Sequence, residues 1–200
     1  MPRRTFFSFH YALDVWRAWN VRNSWVVRDG TKKDRGFFDN SVFEASKREG
    51  DDVLKRFLRE GLENTSVTCV LAGANTWQRR WVRYEIARSV VKRNGLLTVA
   101  IHGVRNDKQE LGEKGANPLA QMGLYRTGRG VYLAEWSGGK WIAYRDYVLP
   151  IPEADLWFEP PSTTTVVQLS KHCLAYDFAA QNGRANIGGW IEIAAGMAGR

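Results

Sequence analysis

Val67-Thr68-Cys69-Val70-Leu71-Ala72-Gly73, then Ala74, then Asn75-Thr76-Trp77-Gln78-Arg79-Arg80-Trp81-Val82-Arg83-Tyr84-Glu85-Ile86, is the stretch that decides the reading of this chain. Its first half is an unbroken apolar run, the pattern of a parallel strand covered on both faces. A turn of small residues follows, and then a helix. Open α/β sheets present ligand chemistry at that junction, outside the carboxyl ends of their strands. Asn75 or Thr76 is placed to cap the helix, whose free N–H groups favour anions. On an ideal helix Val82, Ile86 and Val90 share one stripe and Trp77, Trp81, Tyr84 and Val91 another. Glu85 falls on the flank between them. A lone carboxylate among aromatics and arginines is a candidate for chemistry. The plain alternative is a surface glutamate paired with Arg88 or Arg83.

Outward from there, the spacing predicts a strand over residues 4–9 and a helix from Asp14 to Trp25. Phe6 and Phe7 point to opposite faces of that strand. If it lies beside 67–73, the carboxyl ends of both strands open on one edge and bring Phe9, His10 and Tyr11 toward Glu85. A short strand is expected at residues 36–39. Asp51 to Leu62 is amphipathic, with Val53, Leu54, Phe57, Leu58 and Leu62 at helical spacing. Further strands are expected at 96–101 and 130–136, with a hairpin at Trp136-Ser137-Gly138-Gly139-Lys140-Trp141. Four prolines between Pro150 and Pro161 interrupt the pattern. Ser170 is then expected to cap a helix reaching Asn182, with Cys173 inside it, and 187–198 to form the last helix. The alternation of strands and helices argues for an α/β fold: a flavodoxin-like parallel sheet flanked by helices, with a C-terminal elaboration.

Composition narrows the function. The chain has 200 residues, 44% of them hydrophobic, and suits a single domain. No apolar run approaches the roughly 18 residues that a membrane span needs, and the start lacks the apolar core of a signal peptide. Two cysteines in expected core elements, and three scattered histidines, read as a cytoplasmic protein with buried thiols and no metal. The net charge of +8 lies entirely in the first hundred residues, which hold 19 Lys/Arg and 11 Asp/Glu; the second hundred hold 10 of each. A dinucleotide or a nucleic acid is the natural anionic partner, and a solvated basic face is the bland alternative. No P-loop or Gly-x-Gly-x-x-Gly motif is present, which argues against a kinase, GTPase or dehydrogenase.

The segment Arg80 to Ile86 resembles the Trp-x-x-x-Glu-[Ile/Leu] segment of TIR domains, and Arg4 to Tyr11 resembles their first strand. More closely, the chain resembles the ThsB-type, TIR-like proteins of the Thoeris antiphage system. The residues that carry this are Phe6 to Tyr11, Val21-Arg22-Asn23, Asn64 to Leu71, Arg79 to Ile86, Trp136 to Trp141, Leu169-Ser170 and Tyr176-Asp177. Between Trp25 and Asp39 the usual second strand and loop of TIR domains are not evident, which does not favour their loop-mediated stacking here.

The resemblance implies a TIR-like domain over residues 1–150, with 151–200 as a helical extension packed on the same domain. It implies an NAD+ glycohydrolase/ADP-ribosyl cyclase with Glu85 as the catalytic residue. Phe6, Ser8, Phe9, His10, Tyr11 and Trp81 would bind substrate. NAD+ is the substrate, with no cofactor or metal. The product would be a cyclic ADP-ribose isomer that activates a separate ThsA-type effector; no membrane or nucleic acid is expected, and a homo-oligomer is a possible assembly. The chemistry is self-consistent. Cleaving the nicotinamide–ribose bond builds positive charge on the sugar while a neutral ring departs, so one carboxylate suffices and no second acid is needed. A non-catalytic TIR-type interaction module is the alternative the same fold permits.

Overall fold

The computed structural model of the chain describes residues 3–26 and 48–200; the strand expected at 36–39 lies outside them. Four parallel strands form the central sheet, in the order β1 (Thr5–Phe9), β2 (Val67–Ala72), β3 (Gly95–Ala100) and β8 (Leu174–Asp177). Every residue of β2 is buried, which is why its sequence shows no polar alternation.

Register assigns the two faces. Phe7, Cys69 and Leu97 are partners across the sheet, as are Phe6, Thr68 and Leu96 one step back. The first row meets α1 (Tyr11–Val26) and α4 (Gly183–Met197) in one core with Ala18, Val21, Ile187, Trp190 and Ile191. Helix α4 comes so close to β3 that a Cβ on Gly95 would stand 2.3 Å from the carbonyl oxygen of Ala194. Only glycine fits that contact without moving the helix.

The opposite face carries α2 (Asp51–Leu62) and α3 (Arg80–Val91). In α2 the buried residues Leu54, Leu58 and Leu62 form a single stripe, with Asp51 and Asp52 in the first turn where the helix dipole favours acids. Each buried leucine contributes roughly 1.5–3 kcal/mol of hydrophobic stabilisation. Leu54 and Leu58 pack on Tyr84 of α3.

A second, antiparallel sheet covers α3 from outside. Its strands are β4 (Met122–Thr127), β5 (Gly130–Ser137), β6 (Lys140–Ala143) and β7 (Val167–Gln168), in the order β6-β5-β4-β7. Val82, Ile86 and Val90 of α3 share one core with Val70 and Leu96 of the parallel sheet and Leu124, Val131 and Leu133 of the antiparallel one. Helix α3 is thus enclosed between two sheets. The hairpin at 136–141 forms as expected: Gly138 and Gly139 both take positive φ, 58° and 79°, as a tight two-residue turn requires.

Three expectations change. Residues 170–182 are not a helix; a single 3-10 turn, Leu169–Lys171, leads through Cys173 into β8. Leu169, Cys173 and Tyr176 happen to fall at helical spacing, and a four-residue edge strand is too short for its own period to compete. The elaboration is not C-terminal but inserted between β3 and β8. Consequently residues 151–200 are not only a helical extension, since they supply the fourth parallel strand and the helix beside α1. Both cysteines are free, and no His/Cys/Asp/Glu cluster among the described residues could hold a metal.

A chain ending at Gln168 loses β8 and α4 and leaves Phe7, Leu97 and Val99 uncovered. It is expected to show no cooperative thermal transition by circular dichroism. A transition like that of the full chain would contradict the integral role of this segment.

Candidate active site

The strand β1 hands its side chains alternately to two layers. Phe6 and Ser8 face α3, while Phe7 and Phe9 face the core of α1 and α4. Helix α3 starts at Arg80, after a 3-10 turn at Thr76–Gln78, and has no side-chain cap. The expected cap by Asn75 or Thr76 is therefore not made. Thr76 is fully buried instead, where its Oγ1 accepts from Gly73 N at 2.9 Å.

Glu85 lies in the second turn of α3 and is only 6% exposed. It is not the flank or surface residue that the helical wheel suggests: its side chain points into the sheet, where Oε2 accepts a hydrogen bond from Ser8 Oγ. Burial pushes its carboxyl up to about 8, and the Ser8 hydrogen bond offsets this only in part. Below it, Ser89 Oγ donates to the Glu85 carbonyl at 2.7 Å, and Thr68 Oγ1 stands 2.7 Å from Ser89 Oγ. The single hydroxyl proton of Ser89 is used on the helix, so Thr68 is the donor to Ser89. A line of hydroxyls therefore holds the main chain of Glu85 against β2.

The arginines around Glu85 turn the other way. Arg83 donates to Glu135 of β5 at 2.6 Å and to the Trp77 carbonyl at 3.2 Å. Arg80 grips Asp146 with two hydrogen bonds, at 3.0 and 2.9 Å, and also meets Asp51 of α2 at 2.6 Å. Lys55 joins Asp146 at 2.8 Å. The Arg80 hydrogen bond holds the Asp146 carboxyl down at about 2. These cations bind α3 to α2 and to the inserted sheet, and Arg83 is not the partner of Glu85.

The residues proposed from sequence are placed as follows. Phe6, fully buried, and Ser8, 1% exposed, share the face of Glu85. Phe9 packs with the α1/α4 core, its ring 5.9 Å from that of Tyr11, the first residue of α1. The His10 carbonyl accepts from the amides of Leu13 and Asp14 and so starts α1. Trp81, half-buried one turn before Glu85, packs edge-on against Tyr84 beside the leucines of α2, with Arg80 over its ring at 4.6 Å. The sheet thus brings Phe6, Ser8 and Glu85 together and sends Phe9 to its other side.

One polar cluster escaped the sequence reading. Asp14, 3% exposed, accepts from Thr76 Oγ1 at 3.4 Å and lies 3.6 Å from Arg17. Its carboxyl is raised, burial outweighing Arg17 and Thr76. A Cβ on Gly73 would stand 2.2 Å from the Asp14 carboxylate, so the small residue at the strand end is a packing requirement. Arg17 also donates to the carbonyls of Val104 and Glu110, which ties the loop after β3 across the sheet edge. Beyond it lies a cleft of about 480 Å³ lined by Asn20, Arg105, Phe178, Asn182 and Arg184, to which Glu85 does not contribute. Nothing in the spacing of Asp14 and Gly73 reveals their meeting.

A parallel sheet with helices on both faces, carrying a buried glutamate on the helix after its second described strand, defines a TIR-type α/β domain. The family model of the Thoeris protein ThsB, TIR-like domain, matches residues 6–106. The chain is also 38% identical over 196 residues to a Bacillus cereus (strain MSX-D12) protein named "Putative cyclic ADP-D-ribose synthase ThsB1", with 96% of this chain and 100% of that protein covered. The chain belongs to the ThsB TIR-like family.

The buried carboxyl makes a testable demand on stability. Glu85 titrates at about 8 in the folded chain against 4.5 ordinarily. Between those values the native state holds a proton that the unfolded state has released, so this group's contribution is complete below about pH 4.5 and is lost as pH rises through 8. Glu85→Gln removes that loss and is expected to be more stable than wild type at pH 8 by a few kcal/mol, on the order of the full shift. Urea midpoints at pH 5 and pH 8 check this. Parallel pH profiles for the two proteins would contradict it.

Proposed function

We propose that this chain cleaves NAD+ at the bond between nicotinamide and ribose and closes the remainder into a cyclic ADP-ribose isomer, the messenger of an antiphage system. The observation that carries the reading is the placement of Glu85: a carboxyl buried against β1, in a helix that two sheets enclose. The name of the Bacillus cereus relative supports the same activity.

The chemistry follows from the charge. As the bond to nicotinamide lengthens, the pyridinium cation becomes neutral and positive charge moves onto the ribose ring. An ionised carboxylate beside that ring stabilises the developing cation, and in a dry site it does so far more strongly than in water. In the resting protein burial keeps Glu85 largely protonated at neutral pH. Bringing the cationic nicotinamide ribose beside it favours the ionised form, so substrate binding itself produces the charge that the reaction needs. The ribose cation is then captured by a nucleophile within the same molecule, an adenine nitrogen or a ribose hydroxyl. One NAD+ gives one nicotinamide, one cyclic product and one proton. Excluding water favours this closure over hydrolysis to linear ADP-ribose. The messenger would act on a separate effector of the ThsA type, and the protein needs no metal or cofactor of its own for this step.

In phage-infected cells that carry this chain, mass spectrometry is expected to find nicotinamide and a compound with the mass of ADP-ribose less one water. Glu85→Gln should lower turnover by roughly two orders of magnitude or more, the range seen when a key electrostatic stabiliser is removed. Full messenger production by a folded Glu85→Gln protein would contradict the catalytic role of Glu85, and absence of any nicotinamide release by the wild type would leave an interaction module as the reading. Linear ADP-ribose alone, with falling NAD+, would contradict closure but not cleavage.

A further inference from the structure

We propose that Ser8 is a positioning residue for Glu85: its hydroxyl, donated from β1 to Oε2, fixes the direction of the carboxyl across the sheet face and does not contact substrate. This rests on the reading of Glu85 as the catalytic group. Ser8 is 1% exposed, and Val70 of β2 is its partner in the sheet. Its one hydroxyl proton is committed to Glu85. A substrate hydroxyl would have to displace Glu85 to use it.

The surroundings give Ser8 its weight. On the face that α3 covers, the strands present Phe6 from β1, Thr68 and Val70 from β2 and Leu96 and Thr98 from β3, all uncharged. Charged groups on the elements around α3 include Asp51 and Lys55 of α2, Glu135 of β5, Asp146 in the turn after β6, and Arg80, Arg83 and Arg88 of α3 itself. Lys55 and Arg80 are engaged with Asp146, and Arg83 with Glu135. Ser8 donates directly to the buried Glu85 carboxyl and so opposes the cost of burying its charge. A hydrogen bond to the ionised form is strong in a site of low dielectric. Ser89 and Thr68 form a second device with a different target, since Ser89 donates to the Glu85 carbonyl and not to its carboxyl. The two hydroxyl contacts therefore separate aiming the carboxyl from anchoring the helix.

The experiment follows the Glu85 carboxyl by carbon-13 NMR through a pH titration of the full chain, with the resonance assigned by its loss in Glu85→Gln. Ser8→Ala is expected to move the midpoint upward by on the order of one to two pH units, the value of a hydrogen bond to a charged group. Ser8→Cys, of similar size and a weak donor, should move it the same way, and Ser8→Thr should keep it near wild type. Ser89→Ala should lower the melting temperature without moving the midpoint. The acid limb of kcat/KM for NAD+ should move with the NMR midpoint. At pH 7 kcat/KM would then fall by roughly 10- to 100-fold. An unmoved midpoint in folded Ser8→Ala and Ser8→Cys overturns the proposal, as does a raised KM with an unmoved acid limb, which would make Ser8 a substrate contact. Should Glu85→Gln stay active, the catalytic reading fails, and the titration still decides whether Ser8 governs Glu85.

Discussion

The structure depends on one costly placement: a glutamate set inside a core, facing a strand, with a serine hydroxyl on its carboxyl. An isolated carboxylate in such a place is unstable, so the group is held mostly neutral and its pKa rises. The rest of the architecture makes that placement possible. Register puts Ser8 rather than Phe7 or Phe9 opposite α3. The hydroxyls of Thr68 and Ser89 pin the helix at the right height. The inserted sheet closes the outer side, so that α3 cannot turn Glu85 toward water without breaking the ion pairs of Arg80 and Arg83.

Those ion pairs also explain part of the basic charge. Arg80 and Arg83 sit within a motif next to the proposed chemistry, and from sequence they suggest an anion. In the fold they serve α2 through Asp51, the turn after β6 through Asp146, and β5 through Glu135. Buried or half-buried pairs of this kind add little net stability but are expensive to break from one side. Their value is geometric, because they lock two layers onto the helix that carries Glu85.

Much of this was legible in the sequence, for physical reasons. Residues 67–72 and 95–100 are covered on both faces, so their apolar runs are continuous and easily seen. Glu85 stands out because a carboxylate is rare among large apolar residues, and its role came from the resemblance of residues 80–86 to TIR domains. Its burial was not legible: a helical wheel places a residue on a face but does not say that a second sheet will cover the outer side. β8 was hidden because Leu169, Cys173 and Tyr176 mimic a helical stripe. β4 was hidden by its glycine at 123 and by its lack of alternation, its first three residues being buried and its last three half-buried. The substrate set taken from the opening strand treated neighbours in sequence as neighbours in space. A strand sends them to opposite faces, so Ser8 meets Glu85 while Phe9 joins the α1/α4 core. Asp14 against Gly73 is a contact between distant segments and leaves no periodic trace.

In the proposed reaction the buried Glu85 carboxyl meets the nicotinamide ribose of NAD+, which becomes cationic as the bond to the pyridinium breaks. The measurement that bears on it most directly is the carbon-13 titration of Glu85 with and without an NAD+ analogue whose nicotinamide ribose is replaced by a carbocycle, which keeps the positive ring but resists cleavage. The account predicts a midpoint of about 8 in the free protein and a clear fall when the analogue binds, since a nearby cation favours the ionised form. A midpoint in the ordinary glutamate range in the free protein, or one indifferent to saturating analogue, would contradict it.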